Sequence, residues 1–584
     1  MRKQSRESSS YEGFEVWFND LIMTVQMHIK ILIMLFGMHV MVFCLACCFI
    51  FDKTSLSTLS QWLIANVLFP QAHMKFTNPN GTVANTTAGY AASLVPLRTY
   101  AMDMLLTMRS IFFWCAGIYV FYPACILLFR RKARQQTGQK HLRGSRLISA
   151  SEYKSLAKER NDKLDLPFGS VNMPTAAEPR HTFLIGKPGS GKTVSISQAL
   201  EKLKARKNKA IVYDFKGDYL RKFYDPEIDL IFNPLDSRSL GWNIFNEVTT
   251  IMDVDAIASS LIPPSISQQD PFWHDAARGV LAGILHYLYL GELRTNDYIW
   301  KMVTDDGVNI AKRLKSIPQG LRGYRYIEDA SSKQAMGVFS TLMQYAQCFE
   351  FMASNDGPFA IDEWLKNGQG MIFITNYPSV QDTLRPILSL FVDLMIRKLL
   401  SMPDSTERRI FFLLDEFGTL QRLSSIIKLL TLSRSKGGCC FLGIQDYGQI
   451  DRIYSSDYRQ SIVNACGNSV VFSLSDTVSA ELSSRKLGET EYRETEKSHS
   501  MGPDIHRDGT NLAERKKREH LFLASDIMNL PDLTGIVRFA NYHPIISKFQ
   551  YKNYPDISEA FVLRQDLLMH TLEDDESSTA AEAM

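Results

Sequence analysis

The sequence predicts an α/β protein in which a parallel sheet, covered by helices on both faces, follows two transmembrane helices. Three observations lead to this prediction. Two apolar runs of about 20 residues lie near the N-terminus. Short apolar segments typical of strands alternate with helical segments over much of the remaining chain. A glycine-rich loop joins one of these strands to the helix that follows it.

Length and composition limit the classes of protein that fit. The 584 residues suffice for about two to four structural units. A content of 45% hydrophobic and 22% charged residues excludes a disordered or low-complexity chain. The net charge of +3 excludes a histone-like polycation, so any nucleic acid must be met by local basic patches. The nine cysteines show no spacing typical of zinc ligation and are predicted to be small apolar filler.

Residues 31–51 and 110–129 are each predicted to cross a membrane, because about 20 apolar residues span the hydrocarbon core as a helix. Basic residues set the orientation. Residues 130–146 carry seven basic side chains and no acidic one, whereas residues 52–109 carry only four basic side chains. Because basic flanks stay in the cytoplasm, both ends of the chain are predicted to be cytoplasmic and the loop external. The basic stretch can also bind anionic headgroups or nucleic acid, but the topological role is favoured.

The sequence GKPGSGKT at residues 186–193 matches the phosphate-loop pattern G-x-x-x-x-G-K-[ST] in full. A strand is predicted before it and a helix over Val194–Arg206 after it. In such a loop, backbone N–H groups converge on phosphate oxygens, and the helix N-terminus adds positive potential. Lys192 is predicted to reach the β- and γ-phosphates and Thr193 to hold Mg²⁺. The predicted nucleotide-binding residues are Gly186, Lys187, Pro188, Gly189, Ser190, Gly191, Lys192 and Thr193.

A second candidate motif is IFFLLDE at residues 410–416. Its five consecutive apolar residues predict a strand buried on both faces. Asp415 then lies at the carboxyl end of the strand, where it is predicted to bind Mg²⁺ through water. Glu416 is predicted to polarise the attacking water. The alternative is an acidic cap of the next helix, which the complete phosphate loop upstream makes less favoured.

Three further sites remain open on pattern alone. Gln445 follows another buried strand and can sense the γ-phosphate or be an ordinary loop residue. Arg434 follows a helical pattern and can reach a neighbouring subunit's nucleotide or lie on the surface. Lys216 and Asp218 follow the strand that ends at Asp214, and nucleotide contact and a local salt-bridged turn are equally compatible with that position.

The two spans and the motifs GKPGSGKT, YDFKGD, NPLD, DPFW, LLDEFGTL and GIQDYGQ occur in this order. In this combination the chain resembles the type IV coupling proteins, in particular the TraD type of conjugative plasmids, from the spans to about residue 550. The resemblance implies a RecA-like motor domain interrupted by an all-helical domain. It also implies homo-hexameric rings with ATP and Mg²⁺ between subunits, in the bacterial inner membrane with the soluble body in the cytoplasm.

The resemblance further implies partners and roles. The partners are single-stranded DNA, the relaxase with its relaxosome accessory proteins, and the components of the type IV secretion channel. By motif position, Lys192, Thr193, Asp415 and Glu416 bind and hydrolyse ATP. Gln445 matches the glutamine motif, and Arg434 lies where the family's trans-acting arginine falls.

The predicted organisation has nine segments. They are a cytoplasmic N-terminal segment (1–30), transmembrane helix 1 (31–51), a periplasmic loop (52–109), transmembrane helix 2 (110–129), a basic cytoplasmic linker (130–170), the first part of the RecA-like nucleotide-binding domain (171–247), an all-helical domain (248–348), the second part of the RecA-like domain (349–555) and an acidic, disordered tail (556–584).

Two alternative functions remain at this level. One is a substrate receptor for protein effectors that uses ATP for assembly. The other is an FtsK-like translocase of double-stranded DNA, which two spans and an acidic tail disfavour. The tail can dock on a basic accessory protein or be merely solvated, with solvation favoured. The charged run Glu514–Glu519 is predicted to be a solvated loop, with DNA contact as the alternative, and residues 535–548 are predicted to form a hairpin.

Overall fold

The computed structural model describes residues 4–67, 69–77, 82–137, 140–265, 271–500 and 509–567. The DPFW motif at residues 270–273 therefore lies partly outside the described residues. The tail predicted over residues 556–584 lies outside them from residue 568 onwards, but its described part is packed rather than disordered: the Ser237 N–H donates to the Val562 carbonyl at 2.8 Å, and Arg564 is buried. The described chain divides into two compact units, residues 1–140 with 493–515 and residues 141–492 with 516–584.

The N-terminal unit is mostly helical because long apolar segments satisfy their backbone groups internally as helices. Its elements are α1 (Gln4–Ile50), α2 (Lys53–Val67), β1 (His73–Thr77), β2 (Val83–Thr87), α3 (Ala88–Ser93), α4 (Val95–Cys115) and α5 (Phe121–Thr137). β1 and β2 pair as an antiparallel ribbon. A short 3₁₀ segment, Ala116–Val120, connects α4 to α5.

Among the described residues, two stretches are long and apolar enough to cross a membrane, Thr24–Ile50 and Val95–Leu128. The second begins 15 residues before the predicted start at residue 110, because the helix continues through a stretch with interspersed charges such as Asp103. His39 on α1 is buried against the rings of Phe112 and Tyr119.

The larger unit opens with elements that lead into the nucleotide-binding sheet. They are β3 (Lys140–Gly144), α6 (Ala150–Glu159), β4 (Leu164–Phe168), β5 (Val171–Pro174), β6 (Thr182–Ile185), α7 (Lys192–Ala205), β7 (Lys209–Asp214), α8 (Asp218–Phe223) and β8 (Leu230–Phe232).

A helical insertion then separates β8 from the next strand. Its helices are α9 (Ile251–Leu261), α10 (Pro271–Leu290), α11 (Asn296–Val303), α12 (Gly307–Lys315), α13 (Leu321–Tyr324), α14 (Lys333–Ala346), α15 (Phe349–Met352) and α16 (Ile361–Asn367). The insertion therefore runs to residue 367, beyond the predicted limit of 348. Trp364 and Leu365 are buried in α16, which adds this short amphipathic helix to the core.

The second half of the sheet domain alternates strands and helices. Its elements are β9 (Met371–Thr375), α17 (Gln381–Ser401), β10 (Ile410–Leu414), α18 (Ile426–Leu432), β11 (Gly438–Ile444), α19 (Tyr447–Tyr454), α20 (Ser456–Ala465), β12 (Asn468–Val471), α21 (Thr477–Leu487), β13 (Glu489–Ser500), β14 (Gly509–His520), α22 (Ala524–Met528), β15 (Thr534–Arg538) and β16 (Ile545–Lys548).

The central sheet has nine strands in the order β16-β15-β12-β6-β11-β10-β7-β9-β8. The strands from β12 to β8 are parallel, as predicted. Along them, side chains alternate between two hydrophobic cores, with Phe183 and Ile185 on one face and Leu184 on the other. Helices therefore cover both faces, which explains why these strands are continuous apolar runs.

Two expectations need correction at the end of the chain. The sheet is not wholly parallel, because β15 pairs antiparallel to β12 and β16 pairs antiparallel to β15. This pairing confirms the hairpin predicted over residues 535–548, whose short turn permits only antiparallel neighbours. The run Glu514–Glu519 is not a loop, because it lies within strand β14 of a three-stranded sheet. Its residues 515–518 are exposed, which explains why the run Glu514–Glu519 contains no apolar residue.

Candidate nucleotide site

The phosphate loop lies between β6 and α7, at the carboxyl end of the parallel strands. The N–H of Gly186 donates to the carbonyl of Ile444 at 3.2 Å, and that of Lys187 donates to the carbonyl of Ser473 at 2.8 Å. These bonds fix the loop to the strands on both sides of β6. Gly191 has φ +125, and a Cβ there would lie 3.0 Å from the Phe472 ring, so a side chain would strain the backbone and crowd the ring.

Lys192 begins α7 and is buried. Its Nζ donates to the carbonyl oxygens of Gly186 and, at 3.4 Å, Lys187, so the side chain lies along the inner side of the loop. Burial lowers the pKa of Lys192, while the nearby Asp415 and Glu416 carboxylates raise it. The loop lysine and the acidic pair predicted from two distant motifs therefore lie close together.

Asp415 follows β10 and is buried. Its Oδ2 accepts a hydrogen bond from the Tyr219 hydroxyl at 2.6 Å. Its Oδ1 is buried and has no hydrogen-bond partner among the described residues. Burial raises the pKa of Asp415 to about 6. A buried carboxylate oxygen without a partner is costly, and a divalent cation in the site removes that cost.

Tyr219 was not assigned a role from the sequence, although it lies next to the YDFKGD motif. Its hydroxyl donates to Asp415 at 2.6 Å. Burial raises its pKa well above the usual tyrosine value. This residue therefore orients Asp415, one of the two side chains predicted to hold Mg²⁺. Only the three-dimensional contact reveals it, because 196 positions separate Tyr219 from Asp415.

Asp214 explains how Tyr219 is placed. Its carboxylate accepts the N–H groups of Asp218, Tyr219 and Leu220 at 2.8–3.0 Å, which holds the first turn of α8. Burial raises the pKa of Asp214 to about 7. Asp218 therefore lies in the first turn of α8. The positive charge of Lys216, in the turn before α8, contributes to lowering the pKa of Lys192.

Glu416 and Gln445 form a hydrogen-bonded pair. The Gln445 Nε2 donates to both carboxylate oxygens of Glu416, at 3.1 and 3.2 Å. The Gln445 backbone N–H donates in turn to the Gln449 side chain at 3.1 Å, which orients the loop after β11. Both members of the pair are half-buried, so solvent still reaches the Glu416 carboxylate. Gln445 therefore fixes the direction of the carboxylate predicted to polarise water.

Arg434 is exposed, in the short 3₁₀ segment Ser433–Lys436 after α18. It lines a surface cleft with Leu432, Arg409 and Glu407, and no phosphate-loop residue lines that cleft. Within one protomer the structure thus brings together Lys192, Thr193, Asp415, Glu416 and Gln445, and it does not bring Arg434 to them.

The family model for the type IV secretion-system coupling protein DNA-binding domain matches residues 165–548. This chain belongs to the type IV coupling proteins. The resemblance stated from the motifs is thereby confirmed.

Relatives and solved structures agree with this assignment. The coupling protein TraD of Escherichia coli K12 is 28% identical over 445 residues, which cover 74% of this chain and 61% of TraD. A conjugal transfer protein TraG of Escherichia coli is 22% identical over 330 residues, 49% of this chain and 52% of TraG. The matches therefore span less than two thirds of either relative.

Solved structures of the coupling protein TrwB share the fold. The unbound TrwBdeltaN70 form superposes with a TM-score of 0.65 at 27% identity, covering 73% of this chain and 97% of that chain. TrwB in complex with ADP and Mg²⁺ gives a TM-score of 0.65 at 27% identity, covering 73% and 98%. These matches confirm the predicted α/β class with a RecA-like domain.

Proposed function

We propose that this chain is the membrane-anchored ATPase of a conjugative type IV secretion system, which recruits a relaxase–DNA complex and drives single-stranded DNA to the secretion channel. One observation carries the proposal. In a chain of the coupling-protein family, Lys192 is buried against its phosphate loop, and the carboxylates of Asp415 and Glu416 are near enough to act on its pKa. TrwB, which is similar in fold, is described in complex with ADP and Mg²⁺ and with an ATP analogue.

The residues present fit MgATP. The N–H groups of the loop and the buried Lys192 ammonium suit phosphate oxygens. Thr193 and the unpartnered Oδ1 of Asp415 suit Mg²⁺, which prefers oxygen ligands. When bound, MgATP supplies the phosphoanhydride bond whose hydrolysis powers transport.

The remaining residues position and activate water. Glu416 accepts a proton from water, or orients it, with its carboxylate fixed by Gln445. Tyr219 holds Asp415 through its hydroxyl, so the orientation of the predicted metal ligand depends on a helix that Asp214 anchors. These groups follow three neighbouring strands of the sheet, β7, β10 and β11, as in other open α/β sheets.

Arg434 acts in trans within a homo-hexamer. Arg434 is exposed and lies away from the phosphate loop of its own protomer. Both facts support this role, because a surface arginine is free to enter a neighbour's site. The two apolar stretches, Thr24–Ile50 and Val95–Leu128, anchor the ring in the inner membrane as a multi-pass protein with the larger unit in the cytoplasm. The relaxosome accessory proteins and the channel components are its partners.

The test is DNA transfer between cells that carry Lys192→Ala in place of the wild-type chain. DNA transfer should fall to the level of a strain without the protein, whereas the variant should still be recovered in the membrane fraction. Lys158→Ala, an exposed lysine of α6, is the matched control and should transfer normally. Wild-type transfer by the Lys192→Ala strain would overturn the proposal.

A further inference from the structure

A cavity of about 640 Å³ lies between the helical insertion and the carboxyl end of the sheet. The insertion contributes His274 and Tyr345, and the sheet domain contributes Arg385, Arg422 and Arg452. We name it the arginine cleft. None of the nucleotide-site residues lines it, so it is a separate site.

The arginine cleft carries excess positive charge. Among the described residues, no carboxylate lies within ion-pair distance of Arg422 or Arg452. Arg385 pairs at 3.4 Å with Asp382, which is 85% exposed, and an ion pair with a partner so exposed is weak. Among the described residues that line the cleft there are therefore three guanidinium groups and one carboxylate, that of Asp382.

Two of these arginines are held in place by contacts that leave their charge uncompensated. The guanidinium of Arg422 lies 4.8 Å from the centre of the Tyr458 ring. The Nε of Arg452 donates to the carbonyl of Gly448 at 3.3 Å. A neutral ring and a carbonyl orient a guanidinium without neutralising it, and this orientation lowers the entropy lost when the group binds an anion.

The cleft is tied to the nucleotide site through the segment after the acidic pair. Gln421 is buried, and its Nε2 donates to the carbonyl oxygens of Ser260 and Leu261 at the end of α9, both at 3.0 Å. Its N–H donates to the Ser389 hydroxyl at 3.0 Å. Arg422 follows directly, so the same short segment connects Glu416, the helical insertion and the arginine cleft.

We infer that Arg385, Arg422 and Arg452 bind phosphates of single-stranded DNA. Guanidinium groups bind phosphodiester oxygens bidentately, and an aromatic side chain in the wall, Tyr345, suits stacking of an unpaired base. When ATP hydrolysis shifts Glu416, the segment through Gln421 transmits this shift to the arginines that bind the DNA strand. The inference rests on the proposed function, because it takes the transported strand as the ligand.

The experiment measures binding of a fluorescent poly-thymidine oligonucleotide to the full chain in lipid nanodiscs over a series of salt concentrations. The test variant combines Arg385→Gln, Arg422→Gln and Arg452→Gln. The control variant combines Lys312→Gln, Arg322→Gln and Arg325→Gln, which removes the same charge from exposed positions of the insertion. Circular dichroism checks that both variants fold.

The expected result is a specific loss in the test variant. Each phosphate contact contributes about 0.7 to the slope of log affinity against log salt for single strands, so the slope should fall by about 2. The control should keep a slope close to wild type. If the triple variant does not fold, Arg452→Gln alone, at an exposed position, should lower the slope by about 0.7.

The other outcomes are distinguishable. If the wild-type chain binds no oligonucleotide, the proposed function fails together with the inference. If the wild type binds and the test variant keeps the wild-type slope, the inference alone is overturned. In a third outcome, the test variant binds the oligonucleotide as tightly as the wild type but no longer binds an acidic peptide with the sequence of residues 571–584. The cleft would then bind acidic protein segments, and the inference would also be overturned.

Discussion

The carboxyl end of the central sheet and the helical insertion beside it differ in what they bury. At the sheet end, Lys192, Asp214 and Asp415 are buried, and hydrogen bonds from the loop and α8 orient them. In the insertion, α10 buries mainly apolar residues such as Ala276 and Val280. Buried charge supports chemistry at a cost in stability, whereas apolar burial supplies stability. Substitutions in the two regions should therefore affect different measurements.

The largest expected effect is at the sheet end. Glu416→Gln should lower the ATP hydrolysis rate by about 10²–10⁴-fold, because the amide cannot accept a proton from water. ATP binding should persist, since Lys192 and the loop remain. Hydrolysis by purified protein and binding of a fluorescent ATP analogue measure the two effects. Glu159→Gln, an exposed acid on α6, should leave both unchanged, and hydrolysis by Glu416→Gln near the wild-type rate would remove Glu416 from the mechanism.

In the insertion the expected effect is on stability instead. Ile284 is fully buried in α10, so Ile284→Ala should cost about 2–5 kcal/mol through lost burial and the cavity it leaves. The thermal unfolding midpoint should fall, while the affinity of the folded protein for the ATP analogue should not change. Val308→Ala, which is 62% exposed on α12, is the control and should unfold like wild type. A change in nucleotide affinity without loss of stability would break the contrast between the regions.

The sequence predicts those features that depend on neighbouring residues, and it does not reveal those that depend on contacts between distant residues. The phosphate loop and the strand before Asp415 are contiguous patterns, so their positions in the sheet followed from spacing alone. Tyr219 and Gln421 could not be found in this way, because their partners are 196 and 161 residues away. The strand over Glu514–Glu519 was missed because this run contains no apolar residue, which leaves no alternation to detect.

A smaller effect tests the contact that the sequence did not reveal. Tyr219→Phe removes the hydroxyl that holds Asp415, so the Mg²⁺ concentration for half-maximal hydrolysis should rise by about 10-fold. Tyr153→Phe is the matched control, because its buried hydroxyl donates to the Asn172 carbonyl outside the site. An unchanged Mg²⁺ requirement in Tyr219→Phe would mean that Asp415 is oriented without the tyrosine.

The smallest effect concerns stability at the opposite end of the sheet. His181, just before β6, is buried, and burial lowers its pKa to about 4. Between pH 6.5 and 4 the unfolded chain binds a proton that the folded chain does not, so stability falls as the pH falls, by at most about 1.4 kcal/mol per pH unit. His181→Asn should flatten this part of the pH profile of the unfolding midpoint.

For comparison, His141→Asn replaces an exposed histidine and should leave the profile as steep as in the wild type. Identical profiles for His181→Asn and wild type would show that His181 does not contribute to the acid sensitivity.

The most direct test of the account mixes two inactive variants. Lys192→Ala lacks the loop lysine, and Arg434→Ala lacks the arginine expected to act in trans, which is worth about 10³-fold or more in rate. Co-assembled at equal amounts, roughly a quarter of the interfaces pair an intact loop with an intact arginine, because subunits join at random. The account predicts that ATP hydrolysis returns in the mixture although neither variant hydrolyses alone. If the two variants assemble together but their mixture hydrolyses no more ATP than each variant alone, the neighbouring protomer does not complete the site.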